Sequence, residues 1–310
     1  MDKAFFLGII IGIISRLIMI NLDQKQYPTH PNILTSQLVL AFVASSLGAL
    51  LVPALVDRSY TSITFLSLAA EQFRQVRQNR RQMLQNLEEN ELVKRGNSFI
   101  EEIARTYEVR NYMCIITSFI TVGSYYILTS EFNIGDIIST VTSGIIGLVL
   151  AFILRKVSSR KSIGDIADVS IVKIQFVDEV VMQVGDLKGI TNVGLEKDRE
   201  RFLTRGVGIE IKPKDNSYNN AGIIYNLGQR QAIAYNLYSR LGIYRDNNEP
   251  AFVPIPRRNP QNESIMMAFI PMEKDEQKVI EAVKSCPILE SAKGKYISLN
   301  NYKIGKKGSA

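Results

Sequence analysis

The chain of 310 residues contains one histidine, two cysteines and no tryptophan. The histidine, His30, lies in the polar stretch QYPTHPN. Since the rest of the chain has no histidine, Ser-His and Cys-His nucleophiles are excluded there. Cys114 and Cys286 lack the spacing of a zinc site, and no G-x-x-x-x-G-K-[ST] loop occurs. We therefore predict that the chain is not an enzyme and has no catalytic residue, metal site or cofactor.

Charge is nearly absent from four long runs. A membrane-spanning helix needs about 20 mostly apolar residues, because about 30 Å of hydrocarbon must be crossed at about 1.5 Å per residue. Arg16 is the only charge in the first run, and Asp136 is the only charge in the last. No A-x-A-like cleavage site follows the first run, so we expect it to be a span and not a removed signal peptide. The sequence predicts a membrane domain over 1–154, with spans at about 4–20, 34–56, 112–130 and 132–154.

Basic residues in the connecting segments predict the orientation of these spans. Nine lie between the second and third runs, and four more follow the fourth run at 155–161. The loop at 21–33 offers only Lys25. We therefore predict two transmembrane hairpins, with both termini in the cytoplasm and His30 in an outer loop.

The segment 60–111 has the pattern of a cytoplasmic amphipathic helical hairpin. Leu66 and Phe73 lie on an apolar stripe at helical spacing, and Arg74 and Arg77 lie off it. Either the hairpin packs its stripe internally and its arginines are solvated, or the arginines bind anionic headgroups. Specific nucleic-acid binding is not expected, because nine basic residues are balanced by eight acidic ones and aromatic residues are not interleaved with them.

Arg16 and Asp136 are predicted to lie in the membrane at similar depths below its outer face. A buried charge is costly, so the two side chains either form an ion pair or reach headgroups and water independently. Charges inside spans often mark transport pathways. This pair therefore motivates an alternative function as a component of a channel or transporter.

Small residues recur at intervals of four on two of the spans. Such stripes allow helix backbones to approach closely. The chain therefore either self-associates as a homo-oligomer or packs these helices against each other within one subunit. The residues are Gly8 and Gly12 on the first span and Ser143, Gly147 and Ala151 on the fourth.

Residues 155–310 have the pattern of a soluble cytoplasmic α+β domain. From Val207 onward the order β-α-β-β-α-β predicts a ferredoxin-like sandwich whose last strand is KYISL, 295–299. The domain holds 25 basic and 18 acidic residues. Attraction to the anionic inner leaflet, at roughly 1 kcal/mol per basic group near the surface, is expected to orient it.

One helical stretch of this domain contains Gln229, Arg230 and Gln231 among several tyrosines. The three polar side chains could form an interaction surface. Alternatively the helix is an ordinary amphipathic one, whose tyrosines bury their rings and keep their hydroxyls wet.

The hexapeptide FIEEIA comprises Phe99, Ile100, Glu101, Glu102, Ile103 and Ala104. It resembles the motif that names the YIEGIA family of multi-pass membrane proteins in spore-forming Firmicutes, with Phe in place of Tyr and Glu102 in place of Gly. Similar stretches run from SRLIMINLDQKQYPTHP at 15–31 to NLGQRQAI at 226–233. The resemblance implies a role in sporulation and spore-envelope assembly at a bacterial membrane, with a small soluble capping subunit as partner, and it supplies no catalytic residues.

These observations favour a non-enzymatic membrane scaffold in which transmembrane helices anchor a cytoplasmic α+β platform that recruits partners. The alternative is an oligomeric channel or transporter component that uses Arg16 and Asp136.

Overall fold

The structure is a computed structural model that describes residues 2–26, 33–214, 218–245 and 252–293. Its internal contacts divide the chain into two compact units. We call Met1–Met83 with Ile103–Ser159 the helical unit, and Leu84–Glu102 with Arg160–Ala310 the α+β unit. A short segment from the first half of the chain thus belongs to the second unit. The loop around His30 and the strand predicted at 295–299 lie outside the described residues.

The helical unit is built from long helices, four of which are long and apolar enough to cross a membrane. The third predicted span is the second half of a single helix of 34 residues. The prediction of four long apolar helices is therefore confirmed. The long helices are α1 Asp2–Gln26, α2 Ile33–Val56, α3 Tyr60–Glu88, α4 Asn97–Ser130 and α5 Asp136–Ser158. The residues of α3 after Met83 and those of α4 before Ile103 belong to the α+β unit.

Contacts at the two ends of the bundle show the direction of each helix. At one end, Lys3 Nζ lies 2.7 Å from Asp136 Oδ2, and the Tyr125 hydroxyl donates to the same carboxylate. At the other end, Arg80 Nη2 donates to the Tyr107 hydroxyl at 3.0 Å. Helices α1 and α5 therefore start at the same end, where α4 finishes, and α3 finishes at the opposite end, where α4 starts.

This arrangement corrects the prediction of two transmembrane hairpins with both termini on one side. That prediction requires the amino terminus and the turn before Asp136 to lie at opposite ends, and the salt bridge to Lys3 places them together. The cause is α3, which starts beside the end of α2 and returns along the bundle. Its buried Phe73 packs against Ala41 of α2 and Cys114 of α4. The start of α1 and the end of α5 consequently lie at opposite ends of the bundle.

Helix α3 differs in character along its length. Its first part, 60–70, has no charged residue and exposes Phe65 and Leu68. Its second part is rich in arginine and pairs with the start of α4, where Arg77 Nη1 lies 3.2 Å from Glu108 Oε2. The second part of α3 therefore runs beside the start of α4, while the first part of α3 lies in the bundle. The cytoplasmic location of this segment stays a prediction.

The small residues of α1 and α5 face other helices of the same unit. A methyl group at any of three glycines would meet a side chain of a neighbouring helix. Helix packing within one chain therefore explains the stripes, and self-association stays a prediction. The contacts are Gly8 with Val122, Gly12 with Ser45, and Gly147 with Thr121 and Ile11.

The described part of the α+β unit alternates short helices with strands. After the capping turn α6, Ile163–Ile166, the strands are β1 Ala167–Val172, β2 Ile174–Val177, β3 Val181–Val184, β4 Leu187–Asn192, β5 Val207–Pro213, β6 Arg257–Asn259 and β7 Ser264–Phe269. The remaining helices are α7 Glu196–Arg205, α8 Tyr218–Tyr225, α9 Leu227–Leu241 and α10 Glu276–Lys284.

The main sheet has the order β1-β5-β7-β6, and every neighbouring pair is antiparallel. From β5 onward, the order β-α-β-β-α agrees with the prediction. The prediction included a last strand after α10. In the structure, the sheet position beside β5 is occupied by β1, which precedes this pattern in the chain. The second sheet, β2-β3-β4, packs Met182 and Val184 against Met266 of β7 and Phe202 of α7, and so completes the core of this unit.

Candidate functional site

The FIEEIA segment begins α4, and its first part lies in the α+β unit. Phe99 and Ile100 are fully buried. The Phe99 ring meets the Tyr235 ring of α9 edge-on, with centroids 6.0 Å apart. The hexapeptide therefore joins the start of α4 to α9 by apolar packing, and its aromatic residue does not form a surface feature.

The loop before α4 is also fixed to α9. The Arg95 guanidinium lies 4.6 Å from the centroid of the Tyr235 ring, and its other partner is Glu91, at 3.2 Å. Gly96 has a φ of +85°, and a side chain there would meet the amide oxygen of Gln231 at 2.6 Å. Glycine is therefore required at this close approach. Burial raises the pKa of the Tyr235 hydroxyl, so this tyrosine is neutral beside the arginine.

Glu102 is the one strongly buried carboxylate of the hexapeptide. It forms an ion pair with Arg160, the residue that follows the helical unit, and it accepts the backbone N–H of Glu290 at 3.3 Å. A carboxylate replaces the glycine of the family motif at this position, and it links three separate parts of the α+β unit. Glu101, by contrast, is only half-buried.

Gln229 lies in the interior, which corrects the prediction that it forms part of an interaction surface. Its exposed fraction is 0%. Its Nε2 donates to the Pro287 carbonyl at 3.0 Å, and its Oε1 accepts the backbone N–H of Leu289 at 2.8 Å. The side chain thus fastens the segment that follows α10 to the first turn of α9.

We expect Gln229→Ala to lower the free energy of unfolding by about 2–4 kcal/mol, because one buried carbonyl and one buried N–H each lose their partner at about 1–3 kcal/mol. Thermal unfolding of the full chain in detergent, followed by circular dichroism, measures this loss. Gln277→Ala is the matched control, because its side chain is exposed on α10, and we expect a change of less than about 0.5 kcal/mol. Equal losses in both variants would contradict the structural role of Gln229.

Gln231 and Arg230 differ from Gln229 in position. Gln231 packs on Gly96, as described above, and also lines a cavity in which Arg230 lies. Arg230 and Gln231 are both half-buried, and Arg230 is the charged one of the three residues proposed from sequence. Its Nη1 donates to the Pro256 carbonyl at 3.1 Å, and its buried Nε has no hydrogen-bond partner among the described residues.

This cavity, about 390 Å³ in volume, lies between the loop before α4, the start of α9 and the segment before β6. Its size falls within the range of about 300–1,000 Å³ that is typical of ligand sites. Three cationic side chains and three exposed apolar side chains define it, and we call it the basic groove: Lys94, Arg230, Arg257, Leu227, Val253 and Ile255.

The basic groove has an unbalanced charge. Burial lowers the pKa of Arg230, and the positive charges of Arg257 and Arg258 lower it further. The guanidinium carbon of Arg258 lies over the Tyr225 ring, 4.1 Å from its centroid. No described carboxylate forms an ion pair with Lys94, Arg230 or Arg257. An anion in this groove would therefore relieve a repulsion that already exists.

Arg16 and Asp136 do not pair in the structure, which corrects that prediction. Asp136 is bound by Lys3 and Tyr125 at one end of the bundle. Arg16 lies about 20 Å further along α1 than Lys3, at about 1.5 Å per residue, and its guanidinium carbon is 6.0 Å from the centroid of the Tyr107 ring. The charged pair that motivated the channel alternative is therefore not formed.

The two cysteines are buried and carry free thiols. Burial raises the pKa of Cys286 to about 12, so this thiol is almost entirely protonated at neutral pH and a poor nucleophile. Within the described ranges, no group of three or more His, Cys, Asp or Glu side chains lies close enough to hold a metal ion.

Sequence reasoning missed two of the three cations in the basic groove. Arg257 follows the stretch VPIP, and Lys94 precedes the hexapeptide by five positions. The pattern VPIPRR was a usable signal, because prolines confine a segment to a non-helical path and leave adjacent arginines accessible.

The chain matches the family model described as "YIEGIA protein" over residues 4–299, a range that extends through both units. An uncharacterized protein of Bacillus subtilis (strain 168), YphB, is 35% identical over 292 residues, which is 92% of this chain and 91% of that protein. No solved structure matches the chain.

Proposed function

The chain belongs to the YIEGIA family, and we propose that it is a non-enzymatic membrane scaffold whose α+β unit recruits partner proteins in sporulation and spore-envelope assembly. The basic groove is the observation that supports this function most directly. It combines a ligand-sized volume with cations that have no acidic partner among the described residues and with exposed Leu227, Val253 and Ile255. A small soluble capping subunit is the kind of partner we expect from the family.

We further propose that the helical unit spans the bacterial cytoplasmic membrane, including the membrane of the developing spore, with the start of α1 outside and the end of α5 inside. Arginines of the second part of α3 and the basic residues near the end of α5 lie at the same end of the bundle, and basic residues favour the cytoplasmic side. The opposite end carries Lys3 and Arg58 together with Asp57, Glu131 and Asp136. The first part of α3 then lies in the membrane as a fifth helix.

The basic α+β unit is expected to face the cytoplasm, because it follows the end of α5. There its net positive charge would attract anionic lipids of the inner leaflet. We also propose that the antiparallel sheet β1-β5-β7-β6 is a ferredoxin-like sheet whose outer strand is supplied by the chain before the pattern instead of after it.

The scaffold function is tested by removing the chain from sporulating cells. Proteins that co-purify with the tagged full-length chain are each fused to a fluorescent reporter and imaged in cells with and without it. We expect at least one of them to lose its membrane localisation when the chain is deleted. Unchanged localisation of every co-purified protein in the deletion strain would refute the scaffold function.

A further inference from the structure

The basic groove has two chemical faces, and both restrict what it can bind. Lys94, Arg230 and Arg257 supply positive charge, and the pocket wall between them is mostly apolar. Leu227 is 70% exposed and Ile255 is 40% exposed, although both are large apolar side chains. A ligand that covers them must bring apolar groups as well as negative charge.

The wall before β6 disfavours a phosphate group. Pro254 and Pro256 line it and have no backbone N–H. The Pro256 carbonyl already accepts a hydrogen bond from Arg230. Phosphate sites in proteins depend on several converging donors, whereas the two oxygens of a carboxylate can both accept hydrogen bonds from a single guanidinium.

We propose that the basic groove binds a short acidic segment of a partner protein, in which glutamate or aspartate side chains alternate with apolar ones. This inference rests on the proposed scaffold function and names the chemistry of the segment that the scaffold recognises. A carboxylate reaches Arg230 and Arg257, and neighbouring apolar side chains cover Leu227, Val253 and Ile255.

Charge supports this occupant because an acidic segment supplies what the groove lacks. Burial and the positive charges of Arg257 and Arg258 already lower the pKa of Arg230, so a negative charge nearby favours the cation. A carboxylate in the groove can accept a charge-assisted hydrogen bond from the Arg230 or Arg257 guanidinium, and such a bond is stronger than a neutral one.

The binding test uses the full chain in a neutral detergent and a fluorescent peptide of eight residues that alternates glutamate with leucine. We expect a dissociation constant in the micromolar range by fluorescence polarisation, and binding at least tenfold weaker for the analogue with glutamine in place of glutamate. The double variant Arg230→Gln/Arg257→Gln should weaken binding of the acidic peptide at least tenfold. Arg257→Gln alone should weaken it severalfold, and because its side chain is exposed, this variant separates recognition from stability.

The matched control removes the same charge elsewhere. Lys173→Gln/Lys188→Gln changes two exposed lysines beside the second sheet, and the dissociation constant should stay within twofold of the unchanged chain. If both double variants weakened binding equally, the net charge of the chain would explain the effect, and the proposal would be overturned. Equal binding of the glutamate and glutamine peptides would overturn it as well.

Two further results would assign the groove to a different ligand. Displacement of the peptide by inorganic phosphate at low millimolar concentration would show that the groove recognises phosphate. If the variant Asp246→Asn/Glu249→Gln bound the acidic peptide at least tenfold more tightly, acidic residues of this same chain would compete for the groove. Either result would overturn the assignment to a partner's acidic segment.

Imaging in cells distinguishes this inference from the scaffold function itself. If a recruited protein leaves the membrane when the whole chain is deleted but stays in cells that carry Arg230→Gln/Arg257→Gln, the scaffold function holds and the groove is not its binding site. If it leaves in both strains, and the purified chain binds the acidic peptide as expected, both proposals are supported.

Discussion

A cysteine introduced at Asp57 is expected to react with a membrane-impermeant maleimide in intact cells. Asp57 is exposed and lies between α2 and α3, at the end of the bundle where Lys3 meets Asp136. In the orientation proposed here this end faces outward. Two transmembrane hairpins would place the same residue in the cytoplasm. The proposed orientation therefore predicts full labelling in intact cells, and the hairpin topology predicts none.

Two further positions make the experiment decisive. Glu131→Cys should be labelled in intact cells, and Lys156→Cys should be labelled only after permeabilisation, since both residues are exposed and lie at opposite ends of the bundle. Cys114 and Cys286 are buried and should contribute little background. Labelling of Glu131→Cys without Asp57→Cys would restore the hairpin topology and exclude α3 from the membrane.

Replacement of Glu102 by alanine should destabilise the α+β unit by about 3 kcal/mol, because the loss of one partner leaves the other charge of a buried ion pair uncompensated. The Arg160 side chain is only 20% exposed, and the N–H of Glu290 also loses its acceptor. At about 2–4 °C per kcal/mol for a domain of this size, the melting temperature of the unit should fall by roughly 6–12 °C. Thermal unfolding of the full chain in detergent measures this change.

The neighbouring residue provides the control for this substitution. Glu101→Ala changes a half-buried carboxylate in the same helical turn, and we expect a loss of less than about 1 kcal/mol. Glu102→Gln keeps the shape of the side chain and can still accept the N–H of Glu290. Its loss of stability should lie between those of Glu101→Ala and Glu102→Ala. If Glu101→Ala and Glu102→Ala cost the same, the ion pair with Arg160 does not contribute to stability.

Local signals in the sequence predicted most of the secondary structure. The apolar stretches 169–177 and 180–184 favour a β-hairpin with its turn at Asp178 and Glu179. This turn joins β2 to β3, and both residues have positive φ, at 51° and 64°. Asp275 before the stretch EQKVIEAVK predicts the start of a helix. The structure confirms it, because the Asp275 side chain accepts the backbone N–H of Lys278 at the start of α10. These features depend on residues close together in the chain, which is why the sequence predicts them.

The path of α3 could not be predicted in the same way. Its charge-free part, 60–70, is shorter than the roughly 20 residues that a span requires, and the arginines that follow it favour a soluble helix. Contacts with Ala41, Ala44 and Cys114 hold Phe73 in the bundle. These three residues come from other helices, and no local pattern identifies them.

The candidate site shows the same limit. Arg230 was identified from its own helix, but Lys94 and Arg257 reach the groove from distant parts of the chain. Gln229 shares the polarity of Arg230, and only its hydrogen bonds to Pro287 and Leu289 show that it is internal. Segments distant in the chain pack on α9 and decide which of its residues are buried. The sequence of α9 alone does not identify these segments.

The α+β unit is assembled from two stretches of chain, and this imposes an order on its synthesis. Leu84–Glu102 leaves the ribosome before the rest of the helical unit, and its partners on α9, Tyr235 and Gln231, are made much later. Since domains generally fold as units while the chain emerges from its amino end, Phe99 and Ile100 stay without their final neighbours during translation of 103–159. Apolar surface that waits for its partners during synthesis promotes aggregation, so this short stretch is a point at which folding of the nascent chain is vulnerable.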